Sequence, residues 1–256
     1  MTPAGEAFVG YAATLFWRRL RLRYASYLLT SRTRPDSAAE SRSTLQCDQD
    51  PASHDGELSW GCPALEVEGR WLAEAPGLER ILLEQENGCV RWRCLQPRSR
   101  ATVTLGGGRA LAGQGYAEHL SLTLPPWRLP VRELRWGRFL SPSDAVVWIE
   151  WRGPRPLTLL VHNGAETGNA AIADHLVEFA GSSLRLSASQ VLREGPLGRT
   201  VLSSIPRLQR FGPRAMRAAH EIKWCSRGVL DPAAGGGANA GWAIHEVVHL
   251  PLAPPP

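Results

Sequence analysis

The run His245-Glu246-Val247-Val248-His249 matches HExxH. On a helix that spacing sets two histidines on one face to bind zinc, with the glutamate as base. Here Ala243-Ile244 and Val247-Val248 favour a strand, and prolines follow at 251, 254, 255 and 256. Histidines four apart on a strand are separated by roughly 13 Å, too far to share one ion. No metal centre is expected. Gly106-Gly107-Gly108 and Gly113-Gln114-Gly115 resemble phosphate loops in composition only. Neither sits in a strand–GxxxxGK–helix unit or opens a helix with GxGxxG, so both read as turns and no cofactor is expected. No GxSxG elbow supports a Ser/His/Asp triad.

The informative stretch is residues 113–151, where aromatic and ionisable residues interleave. By strand alternation Tyr116, Glu118, Leu120, Leu122 and Leu124 share a face. So do Leu134, Trp136 and Arg138, and likewise Val146, Trp148 and Glu150. Each face joins apolar bulk to one ionisable group. A carboxyl among Trp and Tyr is driven toward its neutral form unless an arginine answers it, and Arg138 is placed in sequence to do so. Two uses follow: an ion pair that fixes barrel register, or an acid poised to donate a proton inside an apolar cavity. The ion pair is favoured, because structural networks perturb carboxyl groups as well. His119 points away from Glu118. If the His119 and Arg135 side faces inward instead, the candidates switch, and alternation alone leaves that choice open.

The elements that must position these residues are mostly short strands. Period-two runs cover Phe8–Trp17, Leu20–Thr30, Leu65–Leu72, Ala101–Leu105, Tyr116–Leu124, Val131–Leu140 and Ala145–Trp151. Further strands are expected at 157–162, 183–193, 200–205, 219–225 and 242–250. Ile81–Glu84 and Val90–Leu95 form a hairpin around Glu86-Asn87-Gly88, and Asn163-Gly164 marks another tight turn. Residues 31–57 have almost nothing to bury and read as a polar loop or disordered insertion. Residues 233–241 read as a Gly/Ala loop and 251–256 as a tail. Only His175–Phe179 and Gly212–Ala218 invite a short helix. Many strands at short spacing, without βαβ alternation, indicate a barrel or sandwich rather than a nucleotide-binding fold.

Composition agrees. The 25 Gly and 20 Pro interrupt helices, and ten Trp call for a core or an apolar pocket to line. The chain carries a net charge of +5, yet only Lys223 among its 29 basic residues is a lysine. The arginines are scattered among apolar residues, so a solvated strand face is expected rather than nucleic-acid binding. Five cysteines without a CxxC pair point to a reducing compartment. Residues 1–10 lack the pattern of a signal peptide, and no run approaches the roughly 18 apolar residues that span a bilayer. The expected setting is cytoplasmic, with peripheral membrane contact left open. No protein partner is identifiable.

Gly113-Gln114-Gly115-Tyr116-Ala117-Glu118-His119, then Trp127, then Leu134-Arg135-Trp136-Gly137-Arg138, resembles the signature of the carotenoid 1,2-hydratase (hydroxyneurosporene synthase) and AttH-like group. Val147-Trp148-Ile149 and Asn163-Gly164 fit the same pattern. The resemblance covers residues 113–165 and implies two lipocalin-like β-barrels in tandem. The expected fold is therefore all-β, with a reduced N-terminal barrel over residues 1–110 and a fuller one over 111–256. It also implies a cofactor-independent hydro-lyase that hydrates a carbon–carbon double bond in an isoprenoid. Glu118 would be the acid, with Trp136 and Trp148 facing the developing cation. Tyr116, His119, Trp127, Arg138 and Glu150 would complete the pocket for a hydrophobic small molecule, isoprenoid or acyl. A non-catalytic lipid-binding accessory protein is the alternative.

Overall fold

The computed structural model describes residues 1–17, 20–30, 39–200, 214–233 and 237–251. Residues 31–38 of the expected loop, residues 201–205 of the strand expected at 200–205, residues 212–213 of the second expected helix, residues 234–236 and the tail from 252 lie outside them. The chain divides into two compact units: residues 1–74 with 98–116, and residues 75–97 with 117–256.

In the first unit β1 (Phe8–Trp17), β2 (Leu20–Leu29) and β3 (Glu40–Thr44) form one antiparallel sheet. β4 (Ala52–His54), β5 (Glu57–Cys62) and β6 (Val67–Ala73) belong to a second, in which β6 pairs with residues 99–105 of a long strand, β8 (Gly88–Leu105). Tyr27, Leu29, Trp60, Cys62, Val67 and Val103 meet in this unit's core, with Phe8 and Trp71 packed against it. β3 and β4 fall within the expected polar loop. An exposed edge strand buries nothing, so it leaves no alternation to detect; β3 is held by its ladder to β2.

In the second unit β7 (Leu78–Gln85) makes the expected hairpin with residues 88–94 of β8. β9 (Arg109–Leu122), which pairs with β8, has residues 109–116 in the first unit and 117–122 in the second. The rest of the unit is a curled nine-stranded antiparallel sheet. Its strands are β10 (Glu133–Leu140), β11 (Ala145–Arg152), β12 (Leu157–His162), β13 (Ala165–Thr167), β14 (Ala171–Ile172), β15 (Leu176–Phe179), β16 (Ser182–Pro196), β17 (His220–Asp231) and β18 (Asn239–His249). Their order is β13-β12-β11-β10-β18-β17-β16-β15-β14. Asn163 (φ 49°) and Gly164 (φ 83°) supply the two positive φ angles that a tight β12–β13 hairpin needs. The helix expected at 175–179 is a strand instead: Val177 and Phe179 alternate inward, and β16 pairs with them. Five residues are too few for a helical period to outweigh a ladder of hydrogen bonds. Arg214–Ala218 is the one described α-helix.

The curl brings distant strands together. His162 on β12 sits edge-on to Phe179 on β15 at 5.3 Å, and Arg152 donates to the Ile172 carbonyl at 2.7 Å. Phe139, Val146, Leu160, Val177, Leu184 and Leu230 fill one end of the concave face. That end is closed by Asp144, which accepts from Ser143 (2.7 Å) and Asn239 (2.8 Å) and meets His162 (2.9 Å). The architecture is all-β and lipocalin-like. No helix among the described residues is long and apolar enough to cross a membrane.

Which way each β10 side chain faces is set by one close approach. Gly137 pairs with Trp148 on β11, and a Cβ on Gly137 would stand 2.1 Å from the indole ring. Gly137→Ala is accordingly expected to destabilise the protein by about 1–3 kcal/mol in urea unfolding, since the ring must leave its packed position. Gly168→Ala, where a Cβ meets nothing within 4 Å, should leave the midpoint unchanged.

Candidate functional site on the concave face

Residues paired across neighbouring strands share a face of the sheet. Following the register outward from Gly137 gives Trp148 and Leu160 on one side and His245, Trp224 and Val191 on the other. All lie on the concave face. His245 stacks on Trp224 at 5.1 Å between ring centroids, with Trp148 at 6.4 Å on a tilted plane. Its Nε2 is 2.8 Å from the Ser226 hydroxyl, which in turn is 2.6 Å from that of Ser189. Ser226 is fully buried and His245 only 7% exposed. A polar chain thus runs through an aromatic setting.

The face is open beside this chain. Between Ser187 and Gln190 the β16–β17 register slips, and Ala188 takes φ 47°. A bulge of this kind breaks the ladder and turns side chains aside. Ser189 is exposed, Trp224 is half-buried, and Val191, an apolar residue on the concave face, is 41% exposed. Solvent therefore reaches the concave face at the bulge.

One step toward the other end, Arg135 pairs with Glu150 in register, and Glu133 with Arg152. Arg135 is bound by Glu133 at 2.6 Å, Asp174 at 2.5 Å and Glu150 at 3.8 Å. Arg152 meets Glu150 at 2.8 Å and Glu133 at 3.0 Å. Hydrogen bonds and charge from Glu133 and Asp174 outweigh burial and hold Arg135 firmly protonated, while Arg135 keeps the Asp174 carboxyl below its ordinary range.

The opposite face of β10 carries Trp136, and here the expected cluster is divided. Trp136 pairs with Ile149 and Glu246, so Trp136 and Arg138 stand on the convex side while Trp148 and Glu150 stand on the concave side. The inward side is that of Arg135, the option that alternation left open. Both faces of β11 are buried from Ala145 to Ile149, so hydrophobicity did not mark one as inner. Glu118 joins Trp136: its Oε2 accepts from the Trp136 indole N–H at 3.1 Å and from that of Trp92 at 2.7 Å. The two indoles meet edge-to-face at 6.3 Å. Next to Trp136 on the convex side, Glu246 pairs with Lys223, which also lies 3.5 Å from Glu221. Arg193 grips Glu221 through two bonds of 2.7 and 2.9 Å. The chain's single lysine is thus a buried member of an ion network.

The remaining expected residues are dispersed. Tyr116 is half-buried on β9 and ends the first unit. His119 is exposed and accepts from Arg93 at 3.3 Å. Trp127 is half-buried in a turn at Pro126–Arg128. His249 is exposed at the strand end, 3.7 Å from Glu133, while His245 faces the concave interior, so the HExxH histidines serve different surroundings. Among the described residues no group of three or more His, Cys, Asp or Glu is placed to hold a metal. Sequence reasoning missed Trp92, Ser189, Trp224 and Ser226. The alternation Ile222-Trp224-Ser226 was the one signal for the last two.

Two outcomes test this geometry. Glu118→Leu leaves two indole N–H groups without their acceptor and should cost about 2–4 kcal/mol, whereas Glu118→Gln keeps a carbonyl oxygen and should cost under about 1 kcal/mol in chemical denaturation. His245 is pushed down to about 4 by burial, reinforced by His175. Its neutral form is thus favoured in the folded state, and its contribution is whole above the ordinary histidine value of about 6.5. Because the unfolded chain takes up the proton first, that contribution is lost as pH falls from about 6.5 to 4. Over this window wild type should lose up to about 3 kcal/mol more than His245→Gln, read from urea midpoints at each pH.

No protein-family model matches the sequence, and no curated protein matches it. Solved structures do match in shape. A Nitrosomonas europaea protein described as an AttH aligns over 96% of this chain and 88% of its own, with TM-score 0.56 and 10% identity. CghA with Sch210972 aligns over 96% and 85%, with TM-score 0.55 and 10% identity. CghA without that compound aligns over 96% and 84%, with TM-score 0.53 and 10% identity. These likenesses establish the fold: the chain has the AttH-like, lipocalin-type architecture.

Proposed function

We propose that the curled sheet of the second unit binds an apolar small molecule, isoprenoid-like or acyl, on its concave face against Trp148, His245 and Trp224. The observation that carries this reading is the exposure of Val191 beside Trp224. An apolar side chain on the inward face of a packed sheet is normally covered, and here the bulge of β16 leaves it open. Aromatic walls with a few convergent polar groups are what small-molecule sites generally offer, and lipocalin-like folds support such sites. That a structural relative was solved with Sch210972 is in keeping with this use of the fold.

Conversion of an isoprenoid is a second reading, at a separate place on the convex side, where Glu118 lies between the indoles of Trp92 and Trp136. An indole nitrogen only donates, so a proton available for transfer would sit on Oε1. In the hydration step Glu118 protonates one alkene carbon, water adds to the resulting cation, and the added water returns a proton to the carboxylate. Trp92 and Trp136 are the aromatic rings at this carboxylate, replacing the expected pair of Trp136 and Trp148.

Fluorescence titration of the full chain with geranylgeraniol tests the first reading. Trp224→Ala should weaken binding by about tenfold, the value of a lost aromatic contact, while Trp136→Phe should leave it unchanged. Saturable quenching that survives Trp224→Ala intact would remove the concave face from binding. For the second, Glu118→Gln should abolish hydration of an isoprenoid alkene while preserving the fold; unchanged turnover eliminates Glu118 as the acid and leaves a carrier.

A further inference from the structure

The polar groups along the proposed cleft are uncharged, and this selects among apolar ligands by their head group. The inference rests on the concave-face reading above. Strand alternation sends Arg138, Arg185, Arg193, Lys223 and Arg227 to the convex face, because their neighbours Gly137, Leu184, Trp224 and Ser226 point inward. Of the arginines on the nine-stranded sheet, two face inward, Arg135 and Arg152. Both are already engaged, by Glu133, Glu150 and Asp174 and, for Arg152, by the Ile172 carbonyl. Three carboxylates against two guanidinium groups leave this rim with a net negative charge. The other histidines near this face lie away from the opening: His162 meets Asp144 at the closed end, His220 pairs with His249 at the other, and His175, which acts on His245 electrostatically, is exposed just before β15.

What remains at the opening is the exposed Ser189 hydroxyl, with Ser226 and His245 buried behind it in one hydrogen-bonded line. Hydroxyl groups both donate and accept, and a neutral imidazole does the same through its two nitrogens. Burial keeps His245 in that neutral form near pH 7. Such a line suits a hydroxyl or carbonyl oxygen, which takes one or two hydrogen bonds and brings no charge. A carboxylate or phosphate would be desolvated against an aromatic wall, beside an acidic rim, with no available cation among the described inward side chains.

We propose that the cleft takes an apolar molecule ending in an uncharged alcohol, aldehyde or ketone, read by Ser189, whose hydroxyl Ser226 and His245 hold from behind, and rejects the matching carboxylic acid. The test compares geranylgeraniol with geranylgeranoic acid on the full chain at pH 7.5, each titrated by tryptophan fluorescence. The alcohol should bind at least about tenfold more tightly, and Ser189→Ala should erase most of that preference by weakening the alcohol alone. Thermal melting of the variant verifies its fold, and the wild-type comparison needs no variant. Equal affinity, or tighter binding of the acid, overturns the head-group assignment while the concave-face reading stands. A preference that survives Ser189→Ala in a folded variant overturns the role of Ser189. If neither compound binds, both the concave-face reading and this inference fall.

Discussion

The indole of Trp148 lies against the bare backbone of Gly137, and the rest of the second unit takes its orientation from that contact. A side chain at 137 would occupy the ring's space, so the β10–β11 register has little freedom to slip. A slip of one residue would exchange every inward and outward side chain of the pair. Because β10 also pairs with β18, the same choice carries His245 inward and Glu246 outward, and β17 then follows with Trp224 inward and Lys223 outward. One glycine thereby sorts the chemistry of four strands.

The sorting separates two kinds of polar group. Inward lie hydroxyls, a neutral imidazole and an arginine cluster saturated by carboxylates. Outward lie the Glu118–Trp92–Trp136 contact and the Arg193–Glu221–Lys223–Glu246 network. Buried ion networks give little net stability once desolvation is counted, and breaking one is costly. Burial pushes the Glu221 carboxyl up; at Glu246, burial is outweighed by Lys223, which holds it down. Such a network suits a face whose pairing must be unique, whereas the neutral inward line suits the apolar guest proposed for the concave face.

The structural relatives share this architecture at 10% identity, and a fold of this kind accommodates many ligands and reactions. What distinguishes this chain is therefore local. The bulge of β16 opens the concave face at Ser189 and Val191, and the stacking of His245 on Trp224 places a polar ring beside that opening. The proposed binding rests on these features rather than on the barrel as such.

Local physics determined most of the strands. β1, β2, the β7–β8 hairpin, β10, β11 and β12 are legible because period-two patterning, aromatic and β-branched residues and Asn-Gly turns all act within a few residues of one another. The all-β class followed from these signals. The edge strands β3 and β4 were hidden because they bury nothing, and β15 because it is too short to show a period. The site was less legible. Trp136 and Trp148 both looked inward, since β11 is buried on either side and carries no polar face to give its orientation away. Only tertiary pairing decides that Trp148 faces His245 while Trp136 faces Glu118. The partners Trp92 and Glu118, or Ser226 and His245, stand 26 and 19 residues apart in the chain. Alternation specifies that a side chain projects from a strand, but the face it occupies depends on register with strands far away in sequence.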